Sequence, residues 1–406
     1  MAEFLKLRLP DEASELFFGQ LPSVRVGVEW LPTRAALGRV LAQDLLSEEA
    51  LPAFARSSVD GYAVRAGDTF GASDSLPAYV QLVGEVPMGA APGFALNSGQ
   101  AALIHTGGML PAGADAVVML EYTQPARHAE VEVLRAVGVG ENTLQIGEDV
   151  RPGDCVLRAG TLLRAAQLGG LLALGQLQVA VARRPTFGIL STGDEVIPPM
   201  QRPLPGQVRD LNTGALAALV EQFGGMAREY PIVPDRAEAL EAALQQARAE
   251  NDAVIITAGS SASTRDLTAD VIDRAGRPGV LVHGVNVRPG KPTILAVCDG
   301  QPIIGLPGNP VSALVIARLF VAPLVQRLLG MASQPWPQRR ARLTLNIASQ
   351  AGREDYVPAR LQGELVDTIF FKSNLIFTLG QADGLVRIPA DATGLEAGTM
   401  GDVLLI

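Results

Sequence analysis

The sequence predicts a multidomain α/β plus β protein: a central three-layer α/β domain with a mostly parallel sheet, N-terminal β-rich lobes and a small C-terminal β-barrel. Three patterns predict it. After Pro185, residues 187–191, 253–257 and 302–305 are short, nearly continuous apolar runs, as suits strands buried on both faces, with helical segments between the first two. Before Pro185, apolar runs separated by Gly and Pro clusters read as small β-structure. After Gly330, alternating segments with Gly turns read as a barrel.

Each element follows in order. From Thr33 to Leu46, the positions Leu37, Val40, Leu41 and Leu45 recur at helical spacing and Pro52 closes the segment, so this stretch is expected to be helical. Residues 79–118 and 131–156 are expected to be β. Asn212 is placed to cap a helix carrying Leu216, Leu219, Val220 and Phe223 and ended by Gly224 and Gly225; Asp235 is placed to cap another running to Ala249. Residues 333–337, with Pro335, Trp336 and Pro337, read as a linker. The expected division is 1–48 with 150–182 as a helical and linking domain, 49–149 as a β-rich lobe, 183–330 as the α/β domain and 331–406 as the barrel.

A chain of 406 residues, 48% apolar, is long enough for two to four cores. Its longest apolar stretch, 162–182, is interrupted by Arg164, Gln167, Gln176 and Gln178, which argues against a membrane span. Glu3 and Lys6 open the chain without a basic patch and apolar run, so the cytoplasm is the expected location. Cys155 and Cys298 form neither a disulfide framework nor a C-x-x-C pair and read as small buried residues. His105, His128 and His283 stand at no ligand spacing, so any metal is expected to be oxygen-bound. A formal charge of −9 argues against a nucleic-acid surface, and an anionic substrate would need a local basic pocket.

The three buried strands are followed by loops: Thr192, Gly193, Asp194 and Glu195; residues 258–263; and Leu306, Pro307, Gly308, Asn309 and Pro310. In a parallel sheet these loops emerge on one edge, where open α/β sheets bind ligands. Gly259 permits close backbone approach, and Ser260, Ser261, Ser263 and Thr264 put hydroxyls at a helix start, which suits phosphate. Asn309 is placed to cap a helix beginning at Pro310, with Ser312 in its first turn. Singly, each loop is what any strand-to-helix turn uses. Three on one edge argue for a phosphate-binding cleft. Asp194 and Glu195 are candidates to hold Mg²⁺ against substrate phosphates, and Asp266 is another, against the competing reading of a helix N-terminal carboxylate. Residues 288–292 set Arg288 and Lys291 around a rigid Pro-Gly turn, after a strand expected at 284–287. Two cations so held clamp an oxyanion, the alternative being a solvated turn.

Residues 52–63 read P-A-F-A-R-S-S-V-D-G-Y-A, and residues 105–108 and 110–118 read H-T-G-G and L-P-A-G-A-D-A-V-V. These motifs, with Gly147, Glu148 and Asp149 and the segments 191–195, 206–212, 289–292 and 305–312, resemble in order those of the molybdopterin molybdenumtransferases, the MoeA proteins related to the C-terminal enzyme domain of gephyrin. The likeness runs from about Thr33 to Ile406. It implies an elongated homodimer of four-domain subunits, with the cleft between the α/β domain of one subunit and the N-terminal lobe and barrel of the other. It also implies the reaction: adenylylated molybdopterin and molybdate give molybdenum cofactor and AMP, with Mg²⁺ or a similar cation, and with transient contact to other proteins of cofactor synthesis. By position, Asp60, Thr106, Asp149, Asp194, Glu195, Asp235 and Asp266 fall where the family makes its nucleotide, pterin and metal contacts. Arg288, Lys291, Ser312, Arg353 and Ser373 fall where it holds molybdate. The chain departs from the family pattern over 257–266, where it loses glycines and adds Arg265, so the backbone is expected to approach the ligand less closely. Arg288 replaces the usual Lys, and Leu211 stands where Ser is common.

Two other functions fit parts of these observations: the molybdopterin adenylyltransferase of the preceding step, and a catalytically altered scaffold or binding member of the family. AMP release that depends on molybdate selects the insertase, and ATP use with free molybdopterin selects the adenylyltransferase. Intact cofactor production after Lys291→Ala or Glu195→Ala selects the scaffold.

Overall fold

The computed structural model describes residues 7–22, 26–258, 262–332 and 334–406, with backbone alone over 262–266. Its centre is a six-stranded sheet in the order Met226–Glu229, Thr186–Ser191, Ala253–Ala258, Gln301–Pro307, Ile294–Cys298, Pro278–His283. The first four strands are parallel, Ile294–Cys298 runs antiparallel to them, and Pro278–His283 pairs antiparallel with it and so returns to the first direction. Because successive side chains in a strand point to opposite faces, Phe187 and Ile189 join one core while Leu190 joins the other, and Ile255 and Ile256 divide the same way. Helix Asn212–Gln222 and the long helix through Pro310–Ile316 cover the first face. Helices Ala237–Glu250 and Ala262–Arg274 cover the second. Composition alone would let Pro310–Leu328 cross a membrane, but 61% of it is buried and Val311, Ile316, Phe320 and Leu324 lie in the first core. It is a core helix.

The N-terminal lobe holds a second six-stranded sheet, built from Gly61–Val64, Ala78–Glu85, Gln100–Ile104, Ala116–Met119, Thr123–Pro125 and Glu130–Val133. Toward the C-terminus, Gln338–Leu343, Glu354–Gln362, Leu365–Thr368, Gly384–Ile388 and Met400–Leu405 close into a five-stranded barrel around Leu343, Ala359, Val366, Val386 and Val403. The expected architecture is present.

Several local expectations are corrected. Residues 33–46 hold no α-helix, only a 3₁₀ turn at Thr33–Ala35 and a strand at Leu45–Leu46. Gly38 takes φ +72°, and the adjacent Val40 and Leu41 are both buried, bridging to Leu162 and Val181 as extended chain. The helix near the start is Pro10–Gln20, which packs on the edge of the α/β sheet through Ala13 and Phe17. Cys298 is buried as expected, and burial pushes its thiol up to about 11, but Cys155 is exposed. The strand expected at 284–287 is Val287–Arg288, and its partner is the barrel strand Glu354–Gln362.

Candidate active site

Register aligns the ends of the three central strands: Ser191 lies opposite Thr257, Thr257 opposite Leu306, and Ala258 opposite Pro307. Their loops therefore leave on one edge, and beside the first and third is a cavity of about 380 Å³ lined by Thr192, Glu195, Asp210, Asn212, Gly308 and Asn309 among others. Gly259, Ser260 and Ser261 lie outside the described residues, as do the side chains of Ser263, Thr264, Arg265 and Asp266. Two capping expectations are corrected, those at Asn212 and Asp235. The Asp210 carboxylate, not Asn212, accepts from Thr213 N at 3.1 Å and Thr213 Oγ1 at 2.6 Å, while Asn212 Nδ2 donates to the Gly308 carbonyl at 2.8 Å. Asp235 precedes the helix Ala237–Glu250 without capping it. Asn309 precedes Pro310 as expected, but its amide donates to Ser373 Oγ of the barrel at 3.0 Å.

The first loop gathers carboxylates. Gly193 takes φ +143°, where a Cβ would meet Val196 Cγ2 at 2.7 Å, so only glycine makes this turn. The loop is pinned because Gly193 N donates to the Val233 carbonyl at 3.2 Å and Asp235 N donates to Asp194 Oδ1, also at 3.2 Å. Asp194 and Glu195 are exposed, and Asp235 is half-buried between them and the sheet. Burial first, then the Asp194 and Glu195 charges, raise the Asp235 carboxyl above its ordinary value. Thr192 Oγ1 and Asp235 Oδ1 are buried without a well-formed hydrogen bond among the described residues, although the neighbouring Thr192 hydroxyl offsets part of that rise. No group of three or more His, Cys, Asp or Glu side chains among those residues is arranged to hold a metal alone.

On the other side of Asn309 is a larger cavity of about 670 Å³. Among the described residues four cations line it, Arg288, Lys291, Arg353 and Lys372, together with Ser312 and Ser373, and no carboxylate does. The Pro-Gly turn is locked in place: Gly290 has φ +123°, and a Cβ there would lie 2.4 Å from Ile316 Cγ1 of the core helix. Asp355 sits under the cavity, 2% exposed; Arg353 Nε donates to it at 2.9 Å and Arg288 Nη1 lies 3.6 Å away. The resemblance put the barrel of a second subunit at the cleft, whereas this chain's own barrel supplies Arg353, Lys372 and Ser373.

The N-terminal motifs form a separate group. Asp60 Oδ1 accepts from Thr106 N at 2.7 Å and Thr106 Oγ1 at 3.0 Å, with His105 Nδ1 at 3.7 Å. The Thr106 bonds, and then the His105 charge, hold the exposed Asp60 carboxyl below its ordinary value. Asp149 is exposed, its N–H donating to the Leu51 carbonyl at 3.0 Å. Asp60 and Thr106 find their polar partners within their own lobe, and none of Asp60, Thr106 and Asp149 is among the residues lining either cavity. Sequence reasoning passed over Lys372, Asn212 as a loop tie, and Asp355. Lys372 had a signal in its neighbour Ser373, whereas Asp355 had none without knowledge of which strand lies beside Arg288.

The chain matches the MoeA N-terminal region (domain I and II) over residues 9–175, a probable molybdopterin binding domain over 188–327 and the MoeA C-terminal region (domain IV) over 340–406. It is 37% identical over 383 residues to a putative molybdopterin biosynthesis protein of Methanocaldococcus jannaschii, covering 91% of this chain and 90% of that one. It is 34% identical to the molybdopterin molybdenumtransferase of a Nostoc species, over 97% of this chain and 92% of that one. The crystal structure of a molybdopterin biosynthesis moeA protein from Pyrococcus horikoshii superposes with a TM-score of 0.87 at 32% identity, covering 99% of this chain and 100% of that one.

Proposed function

Since the chain belongs to the molybdopterin molybdenumtransferase family, and so acts in molybdenum cofactor biosynthesis, we propose that it transfers molybdate into adenylylated molybdopterin with release of AMP, in the cytoplasm. The observation that carries this reading is the pair of cavities that share Asn309. Among the described residues one is lined by four cations and no carboxylate, and the other lies where parallel sheets bind phosphorylated ligands. An oxyanion in the first would lie beside a phosphoanhydride in the second.

Such a reaction asks the protein for positioning and charge neutralisation. Arg288, Lys291, Arg353 and Lys372 offset the charge of molybdate, with Ser312 and Ser373 as hydroxyl donors. Asn212 and Asn309 hold the Gly308 turn and the barrel loop in fixed relation across the two cavities. The carboxylates of the first loop suit Mg²⁺, which takes one or two carboxylates plus substrate phosphates, and the Asp235 oxygen that lacks a well-formed hydrogen bond fits an acceptor awaiting a partner. Asp194, Glu195 and Asp266 would hold it, with Asp235 beside the first two. Bound there, Mg²⁺ would neutralise charge developing on the phosphates.

The reading further takes the protein as a homodimer in which Asp60, Thr106 and Asp149 of one subunit approach the cleft of the other. Molybdate-dependent AMP release from adenylylated molybdopterin tests the reaction, and its absence would refute it. A crystal soaked with AMP and molybdate is expected to show the oxyanion between Arg288 and Lys291.

A further inference from the structure

Two of the four cations in the basic cavity come from different domains, and one carboxylate holds both. Arg288 ends the strand Val287–Arg288, which runs parallel to the barrel strand Glu354–Gln362 with Arg288 opposite Asp355. Arg353 lies in the bend just before that strand and reaches the same carboxylate from there. Arg353 donates through Nε at 2.9 Å and Nη2 at 3.4 Å, to the two oxygens of Asp355. Arg288 Nη1 stands 3.6 Å from Asp355 Oδ2 and makes no other ion pair or hydrogen bond among the described residues. Asp355 is 2% exposed, while the Arg288 and Arg353 side chains are 54% and 27% exposed. The carboxylate is thus beneath the cavity wall, and the guanidinium groups lie between it and the space they line.

We propose that Asp355 is a positioning residue for oxyanion binding: it fixes Arg288 of the α/β domain and Arg353 of the barrel in one geometry before the anion arrives. The inference rests on the oxyanion reading of this cavity. Asp355 itself touches no substrate. Charge alone argues the opposite way, because a buried negative charge under the cavity repels a dianion, so removing it should tighten binding. Positioning predicts weaker binding, since two flexible arginines must then be ordered by the anion itself. The sign of the effect separates the two roles.

The experiment is calorimetric titration of the full-length protein with sodium molybdate at fixed ionic strength, and separately with AMP, for wild type, Asp355→Asn and Asp355→Glu. Asp355→Asn is expected to bind molybdate about tenfold more weakly, with KM for molybdate rising more than kcat falls and AMP affinity preserved. Unchanged or tighter molybdate binding would overturn the inference. Asp355→Glu keeps the charge but moves the carboxylate by one methylene, and is expected to lose a few-fold in molybdate affinity. Full affinity in Asp355→Glu would overturn the positioning role even where the Asn variant does not fold. Wild-type protein that binds AMP but no molybdate would overturn the oxyanion reading itself, and this inference with it.

Discussion

At the scale of single residues, Asp235 and Gly290 show opposite ways in which a site departs from what stability favours. Burial, with the Asp194 and Glu195 charges, raises the Asp235 carboxyl, so the folded protein holds that proton more tightly than the unfolded chain. Its contribution to stability is full below the ordinary carboxylate value and is lost as pH rises through the raised one. Asp235→Asn should therefore raise the melting temperature near neutral pH, with the gain vanishing in acid; an equal gain at every pH would contradict this. Loss of activity in the same variant would mark Asp235 as kept for function. Gly290 is the reverse case, a residue the backbone requires. Gly290→Ala combines φ +123° with a contact at 2.4 Å to Ile316, and should cost about 1–3 kcal/mol in urea unfolding.

At the scale of elements, the barrel strand Glu354–Gln362 separates two tasks by its alternation. Asp355 turns toward Arg288 and Arg353 of the basic cavity, while its neighbour Glu354 turns the other way, accepting from Tyr356 Oη at 2.8 Å and from Arg387 at 2.7 and 3.0 Å. Burial first, and then Glu354, push the Tyr356 hydroxyl far up; the bonds that Arg387 donates to Glu354 do the same for Arg387. Glu354 is 8% exposed and Arg387 38%, so solvent screens part of this pair. Glu354→Gln should lower stability by about 1–3 kcal/mol, read from the urea midpoint, with molybdate binding largely kept. A matching loss of molybdate affinity would mean that the two faces are not independent.

At the scale of the whole molecule, the Asp60 lobe and the Arg288 cavity make no polar contact through Asp60 or Thr106 within one chain, and the proposed homodimer joins them. Asp60→Ala and Lys291→Ala, each inactive alone, should regain activity when mixed and allowed to exchange subunits. Random pairing gives about a quarter of wild-type activity, because half the dimers are mixed and each carries one intact cleft. No recovery on mixing, with exchange verified, would sink the shared cleft.

The fold class and the edge on which the loops gather were legible because both follow from local pattern: continuous apolar runs mark strands buried on both faces, and parallel order forces their loops to one side. That Arg288 and Lys291 stand together on one cavity was legible for the same reason, as charge around a rigid turn. The N-terminal region was misread because Leu37, Val40, Leu41 and Leu45 mimic a helical period, while Gly38 and pairing to distant residues draw the chain out instead. The Asn212 cap was misassigned because the Asp210 carboxylate takes the Thr213 donors while Asn212 donates to Gly308, whereas Asn309 does stand at the N-cap position before Pro310, without a side-chain cap bond. What local pattern could not supply was the pairing of Val287–Arg288 with a strand more than sixty residues later. That contact is a product of packing between domains, and it alone places Asp355 beneath both arginines and closes the cavity with the chain's own barrel.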